Sequence, residues 1–266
     1  IQEVAGAEHD GYYYPSFAGV GRSLNYYPIN DEMPEDGVAE IAVGLGKYIV
    51  DGGLALRFSP RHPDKVLQTS TLDLALRDTQ TQLYALDLKD VEGGFKVDDG
   101  FNIKKIRVQD AAKNGSLRYM VSTFDPYDQV IRDSEYGNGR RVVTFANVLQ
   151  HKAFPLAEIV DFMLSEGEKE MRRPVEIEFA GCIDKHGETK GNVYWLQIRP
   201  IVDRKEMLDE KIMHTSDSQL ILKTSSALGH GMMDGVTDVV YVKTQNFSSF
   251  NNPMVAREIE KLNKSY

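Results

Sequence analysis

The sequence predicts an α+β fold, because short strand-like segments and hairpins outnumber the helical segments. Two features indicate this most clearly. Residues 155–171 repeat apolar side chains at helical spacing behind Pro155, which predicts an amphipathic helix. Residues 175–183 and 192–202 alternate apolar and polar side chains on either side of a polar loop, which predicts an antiparallel hairpin.

The first residues of the chain predict three short strands joined by glycine-containing turns. Residues 1–7 are extended in character, residues 12–14 are aromatic and precede Pro15, and the segment around Val20 is again apolar. These strands would form the beginning of a sheet.

A helix is predicted in residues 38–46, behind acidic residues that suit the positive end of a helix dipole. We expect it to end near Gly44 or Gly46. Its apolar stripe at helical spacing consists of Val38, Ile41, Ala42 and Leu45.

Residues 64–140 carry weaker signals and are interpreted as a linker or inserted subdomain. We expect a helix at residues 72–83 and hairpins around residues 93–100 and 114–124. This part of the chain carries little recognisable chemistry.

The chain after residue 202 predicts a charged connector and then the beginning of a following β/α module. Strands are indicated at residues 219–225 and 238–244, and a helix at residues 255–263. Roughly fifty residues are few for an independent domain. Residues 1–202 are therefore predicted as one domain, and the rest as a truncated module.

Composition limits the possible functions. A chain of 266 residues with a net charge of −9 does not offer the broad basic surface that binds nucleic acid. Its apolar runs are shorter than the roughly 20 residues that cross a membrane. The start lacks a signal peptide and a Met, which suggests a piece of a longer protein. A single cysteine favours the reducing cytoplasm, although sequons at Asn114, Asn246 and Asn263 leave a secreted glycoprotein as an alternative.

The hairpin at residues 175–202 is the segment with the clearest chemistry. Strand alternation places Glu176 and Glu178 on one face, about 6 to 7 Å apart along the strand. A symmetric register around the loop pairs Glu178 with Gln197 and Glu176 with Arg199. The opposite, core-facing side is expected to hold Val175, Ile177, Phe179, Tyr194, Leu196 and Ile198.

Adjacent carboxylates supply the oxygen ligands that Mg²⁺ prefers, and a nearby arginine can bind phosphate and stabilise charge in phosphoryl transfer. Spacing alone does not decide for a nucleotide site. An exposed hairpin face with a weak Glu–Arg pair explains the same pattern. A glycosidase pair fits less well, because such carboxylates come from different elements across a cleft.

Four segments carry motifs in a fixed order. They are I-Q-E-V at residues 1–4, F-A-G-V-G-R-S at 17–23, V-G-L-G-K-Y-I-V-D-G at 43–52, and R-P-V-E-I-E-F-A with V-Y-W-L-Q-I-R-P-I at 173–180 and 193–201. In this order they resemble the nucleotide-binding domain of the phosphoenolpyruvate synthase and pyruvate phosphate dikinase family. Three residues depart from the pattern: Glu176 replaces Asp, Ala18 replaces Ser and Lys47 replaces Glu.

The resemblance implies an ATP-grasp fold of which this chain holds the C-terminal lobe and linker, with ATP and Mg²⁺ as cofactors. Arg199 would be catalytic and, with Gln197, would contact the phosphates or the water shell of the metal. The residues that would border the adenine are Gln2, Glu3 and Val4, and those that would hold Mg²⁺ are Glu176 and Glu178.

In the complete protein, the resemblance implies ATP-dependent phosphorylation of a carrier histidine and then of pyruvate. The partners would be the first ATP-grasp lobe and a phosphocarrier domain of the same chain, while the oligomeric state stays open. The fragment alone is expected to show little phosphotransfer. A non-catalytic nucleotide-sensing or interaction module is the alternative, and His230 lacks the motif expected around a carrier histidine.

Overall fold

A computed structural model describes most of the chain in two compact units, Ile1–Gly231 and Met232–Tyr266. The predicted domain boundary after residue 202 stays a prediction. The described residues are 3–89, 100, 102–134, 137, 139–184, 191–201, 216–221, 235–241 and 251–265.

Strands dominate the first unit. In the described residues they are Ala7–His9 (β1), Tyr12–Tyr14 (β2), Phe17–Arg22 (β3), Val38–Ala42 (β4), Leu56–Phe58 (β5), Gln82–Asp87 (β6), Ile103–Arg107 (β7), Val121–Asp125 (β8), Val130–Arg132 (β9), Arg140–Val143 (β10), Val175–Ile183 (β11) and Gly191–Pro200 (β12). The α-helices are Lys47–Val50 (α1), Leu72–Arg77 (α2), Val108–Ala111 (α3), Ala146–Leu149 (α4) and Leu156–Met171 (α5).

These strands form three antiparallel sheets, in the orders β1-β2-β6-β7, β10-β8-β9 and β12-β11-β3-β4-β5. Antiparallel sheets with few helices confirm the predicted α+β class. The predicted strands at residues 12–14 and around Val20 are β2 and β3. The first predicted strand begins only at Ala7, since residues 3–6 form no strand and residues 1 and 2 lie outside the described part.

Helix α5 covers one face of the five-stranded sheet, which confirms the helix predicted behind Pro155. Its stripe of Leu156, Val160, Met163 and Leu164 is buried because it packs on the sheet. A Cβ added at Gly167 would lie 2.8 Å from Ile198, so helix and sheet approach closely there. The opposite face of the sheet is left for the candidate site, and we call it the site face.

Strand β3 has small residues where the sheet is most tightly packed. Phe17, Gly19 and Gly21 point toward the core, and a Cβ on Gly19 would lie 2.3 Å from the ring of Phe179. The alternate residues of β3 therefore point to the site face, because side chains alternate along a strand.

The helix predicted at residues 38–46 is wrong, because residues 38–42 form β4 between β3 and β5. Strand β4 is buried on both faces near its end, so its apolar residues do not alternate and imitate helical spacing. Gly44 has a φ of +85°, and its added Cβ would lie 2.7 Å from the carbonyl oxygen of Tyr84. This turn leads into α1, a single turn of helix.

The middle of the chain agrees with the sequence only in part. The helix expected at residues 72–83 begins at Leu72 but ends at Arg77, and β6 follows it. Strands β6 and β7 pair as the predicted hairpin around residues 93–100, most of which lie outside the described part. The hairpin expected at residues 114–124 is wrong, because turns lead into β8, which pairs with β9 and β10.

The second unit contains the helix Asn252–Ser265 (α6), which confirms the helix predicted at residues 255–263. The strands predicted at 219–225 and 238–244 are not formed in their described residues, 219–221 and 238–241, and the rest of both segments lies outside the described part. Nowhere in the described sequence is a helix both long and apolar enough to span a membrane.

Candidate functional site

The hairpin of β11 and β12 has the predicted register in its first half. Glu176 lies opposite Arg199 and Glu178 opposite Gln197. All four side chains lie on the site face, because Val175, Ile177 and Ile198 belong to the hydrophobic core below. The predicted grouping of these four polar residues is therefore formed.

A β-bulge changes the second half of the hairpin. The register shifts between Glu178 and Phe179, so that Trp195 rather than Leu196 lies opposite Phe179. The prediction that Tyr194 and Leu196 face the core is wrong, since the extra residue reverses the alternation. Leu196 packs instead against the small buried residues of the site face, Ala5, Ala18 and Ala180.

The site face carries three successive rows of side chains across the sheet. The apolar row contains Ala42, Ala18, Ala180 and Leu196. The acidic row contains Glu40, Val20, Glu178 and Gln197. The arginine row contains Arg22, Glu176 and Arg199.

A cavity of about 410 Å³ opens over the apolar and acidic rows. Residues 3–5 and Leu196 line its apolar side, Glu178 lies in its wall, and Lys47 and Gly46 border it from α1. The structure therefore brings the predicted residues Glu3 and Val4 together with Glu178. The third residue expected near the adenine, Gln2, lies outside the described part of the chain.

The carboxylate of Glu178 is available to a ligand. It lines the cavity, and within the described residues it has no hydrogen-bond or ion-pair partner. Gln197, the residue opposite on β12, is exposed. These two side chains offer oxygen ligands beside the cavity.

The carboxylate of Glu176 is already engaged on both oxygens. Oε2 accepts a hydrogen bond of 2.7 Å from Nε of Arg22, and Oε1 accepts one of 2.8 Å from Nε of Arg199. Nη2 of Arg199 also donates to Oε1. Burial opposes ionisation, but the bonds from Arg22 and Arg199 outweigh it and hold the pKa of Glu176 below its ordinary value of 4.5.

This lowered pKa gives a pH prediction. The unfolded chain protonates Glu176 more readily than the folded chain, so ionised Glu176 stabilises the fold above pH 4.5. That stabilisation is lost as the pH falls through the lower folded-state pKa. We expect the difference in free energy of unfolding between wild type and Glu176→Gln to shrink over this range in urea titrations. A constant difference between pH 7 and pH 3 would contradict the assignment.

The residues present fit a magnesium ion that is also bound by phosphates. No group of three or more His, Cys, Asp or Glu side chains in the described residues could hold a metal by itself. Mg²⁺ commonly takes only one or two protein carboxylates and completes its octahedron with water and substrate phosphates. Glu178 meets that requirement, whereas a metal at Glu176 would compete with two guanidinium groups.

Sequence patterns did not single out Arg22 or Glu40. Both belong to the site face because β3 and β4 continue the sheet beside β11. Lys47, which departs from the family motif, forms an ion pair of 3.0 Å with Asp51 at the border of the cavity. His230 lies outside the described residues, so its role stays a prediction.

Comparison with known proteins agrees with this arrangement. No curated protein matches the sequence significantly. A family model described as pyruvate phosphate dikinase, AMP/ATP-binding domain, matches residues 1–220, which include every row of the site face. Since this match covers most of the 266 residues, the chain belongs to the family of pyruvate phosphate dikinase AMP/ATP-binding domains.

Proposed function

We propose that the chain forms the ATP- and Mg²⁺-binding part of a phosphoenolpyruvate synthase-like phosphotransferase, on an incomplete ATP-grasp fold. The observation that supports this most strongly is the order of the three rows on the site face. An apolar row, a row with a free carboxylate and a row with two arginines follow one another at steps of about 6 to 7 Å along the strands. A nucleotide presents an apolar base, a metal-binding phosphate chain and a charged end in the same order.

In this proposal the base lies on the apolar row beside residues 3–5. Ala18 and Ala180 leave room for a flat ring, and Leu196 gives it an apolar contact. Backbone groups of Glu3 and Val4 would then meet the edge of the base. An aromatic base excluded from water on such a surface gains from the loss of apolar exposed area.

Glu178 and Gln197 would hold the metal together with the phosphates. The metal would supply neutralisation of the phosphate charge, and Arg199 would bind the transferred phosphoryl group through charge-assisted hydrogen bonds. The expected role of Glu176 as a second ligand stays a prediction. We assign the acceptor steps, a carrier histidine and then pyruvate, to other domains of the complete protein in the cytoplasm.

A nucleotide-sensing module without phosphotransfer is a second candidate function. Lys47 supports it, since a cation replaces the acidic residue of the family motif beside the cavity and is paired with Asp51. Both functions require nucleotide binding. They differ in whether the complete protein transfers the phosphoryl group of ATP, which labelled ATP would show.

Equilibrium binding of Mg·ATP to the complete protein tests the shared part of the proposal. We expect Arg199→Ala to weaken ATP about tenfold or more, since a hydrogen bond to a charged group is worth about 1.5 to 3 kcal/mol. Arg132→Ala is the matched control, because Arg132 forms only an exposed ion pair with Asp128 on β9. Equal affinities for wild type and Arg199→Ala would contradict the proposed role.

A further inference from the structure

We infer that Arg22 is a further phosphate-binding residue, which acts together with Arg199 on the terminal phosphates of the nucleotide and is positioned by Glu176. This inference rests on the proposed function and deepens it. It also gives Glu176 a role other than that of a metal ligand.

The three residues lie in register on three neighbouring strands. Arg22 on β3 and Arg199 on β12 are the direct partners of Glu176 on β11. The side chain of Glu176 is only 9% exposed, whereas those of Arg22 and Arg199 are 48% and 60% exposed. The carboxylate therefore lies at the base of the row, and the two guanidinium groups form its solvent-facing surface.

The hydrogen bonds leave donors free for a ligand. A guanidinium has five N–H groups. Glu176 takes only Nε of Arg22, and Nε and Nη2 of Arg199. Among the described residues, no partner is seen for the Nη groups of Arg22. These groups can form the forked contact that arginine makes with phosphate oxygens.

The charge of the row favours an anion. Glu176 is ionised at neutral pH and neutralises one of the two arginines, so the row keeps one net positive charge. A terminal phosphate carries a charge of about −1.5 to −2 near pH 7. A divalent metal ion would instead be repelled by the guanidinium groups and would have to displace them from Glu176. It has a better ligand in Glu178, one step along the same strand.

The position of the row selects the end of the nucleotide. Val20 and Glu178 line the cavity, and the arginine row lies one strand repeat beyond them, away from the apolar row. A base on the apolar row would extend its phosphates past Glu178 before they meet Arg22. The outer phosphates of ATP reach this row, and the single phosphate of AMP remains near the acidic row.

Binding of ATP and AMP to Arg22→Gln tests the inference in the complete protein. We expect ATP to bind about 10- to 100-fold more weakly and AMP to change less than about twofold, because charge-assisted hydrogen bonds to the outer phosphates are lost. Arg107→Gln, which removes an exposed arginine paired with Asp110, should bind both nucleotides as wild type does. Equal losses for ATP and AMP, or no loss, would overturn the inference while the proposed function stands. Wild type that binds neither nucleotide would overturn both.

A second measurement needs no substitution at Arg22. Butanedione modifies exposed arginines, and peptide mass spectrometry can follow Arg22 and Arg107 in the same wild-type sample. We expect ATP to slow the modification of Arg22 several-fold more than AMP does, with Arg107 unchanged by either nucleotide. Equal rates at Arg22 with and without saturating ATP would overturn the inference.

The role of Glu176 has its own readout. For Glu176→Gln we expect weaker ATP binding, while the Mg²⁺ concentration for half-maximal ATP binding stays within about twofold of wild type, because the metal is held by Glu178. A tenfold rise in that Mg²⁺ concentration would show that Glu176 is a metal ligand and would overturn its positioning role.

Discussion

Replacing Glu178 by Gln is expected to weaken Mg·ATP binding by about two orders of magnitude, which corresponds to roughly 3 kcal/mol. Glu178 is the carboxylate of the cavity that has no partner among the described residues. A neutral amide keeps the size of the side chain but removes the charge that attracts Mg²⁺. The loss should be seen by calorimetric titration, and it should be much smaller when ATP is titrated without Mg²⁺.

Glu170→Gln is the matched control for this experiment. Glu170 lies exposed on α5, on the other side of the five-stranded sheet from the cavity, so its replacement should leave ATP binding unchanged. If Glu178→Gln and Glu170→Gln both bind Mg·ATP with wild-type affinity, Glu178 is not a metal ligand.

Replacing Arg57 by Leu is expected to destabilise the first unit by about 3 to 5 kcal/mol, the usual cost of removing one partner of a buried ion pair. Nη1 of Arg57 donates to Oε1 of Glu32 at 2.8 Å, and the Glu32 side chain is 0% exposed. Glu32 also accepts hydrogen bonds from Asn25 and from the backbone of Ile29, so it holds the loop between β3 and β4. Without Arg57 the buried carboxylate would remain charged and without its cation.

Urea unfolding at pH 7 measures this effect. Arg132→Leu is the control, since its ion pair with Asp128 is exposed and should contribute less than about 1 kcal/mol. A double variant, Arg57→Leu with Glu32→Leu, should recover part of the loss because no buried charge is left unpaired. A loss below about 1 kcal/mol for Arg57→Leu alone would mean that the pair does not stabilise this loop.

The sequence predicted the part of the site that depends on one hairpin. Strand alternation and the length of the loop were sufficient for the pairs Glu176–Arg199 and Glu178–Gln197. The helix α5 was predicted for the same reason, because its pattern is local and continuous. Both features arise from residues that are close in the chain.

The features that the sequence did not predict depend on distant contacts. Arg22 meets Glu176 across 154 residues, and no local pattern indicates that β3 lies beside β11. Strand β4 was mistaken for a helix, since a strand covered on both faces loses the alternation that identifies it. The bulge after Glu178 has no clear local signal, yet it turns Leu196 from the core toward the cavity.

The most direct test of the proposed nucleotide site is a calorimetric titration of the complete wild-type protein with ATP, with Mg²⁺ and with EDTA. The account predicts saturable binding of one ATP per chain, weakened about tenfold or more when Mg²⁺ is removed, because Glu178 then has no metal through which to bind the phosphates. Absence of ATP binding at millimolar concentrations, or binding of equal affinity with Mg²⁺ and with EDTA, would contradict it.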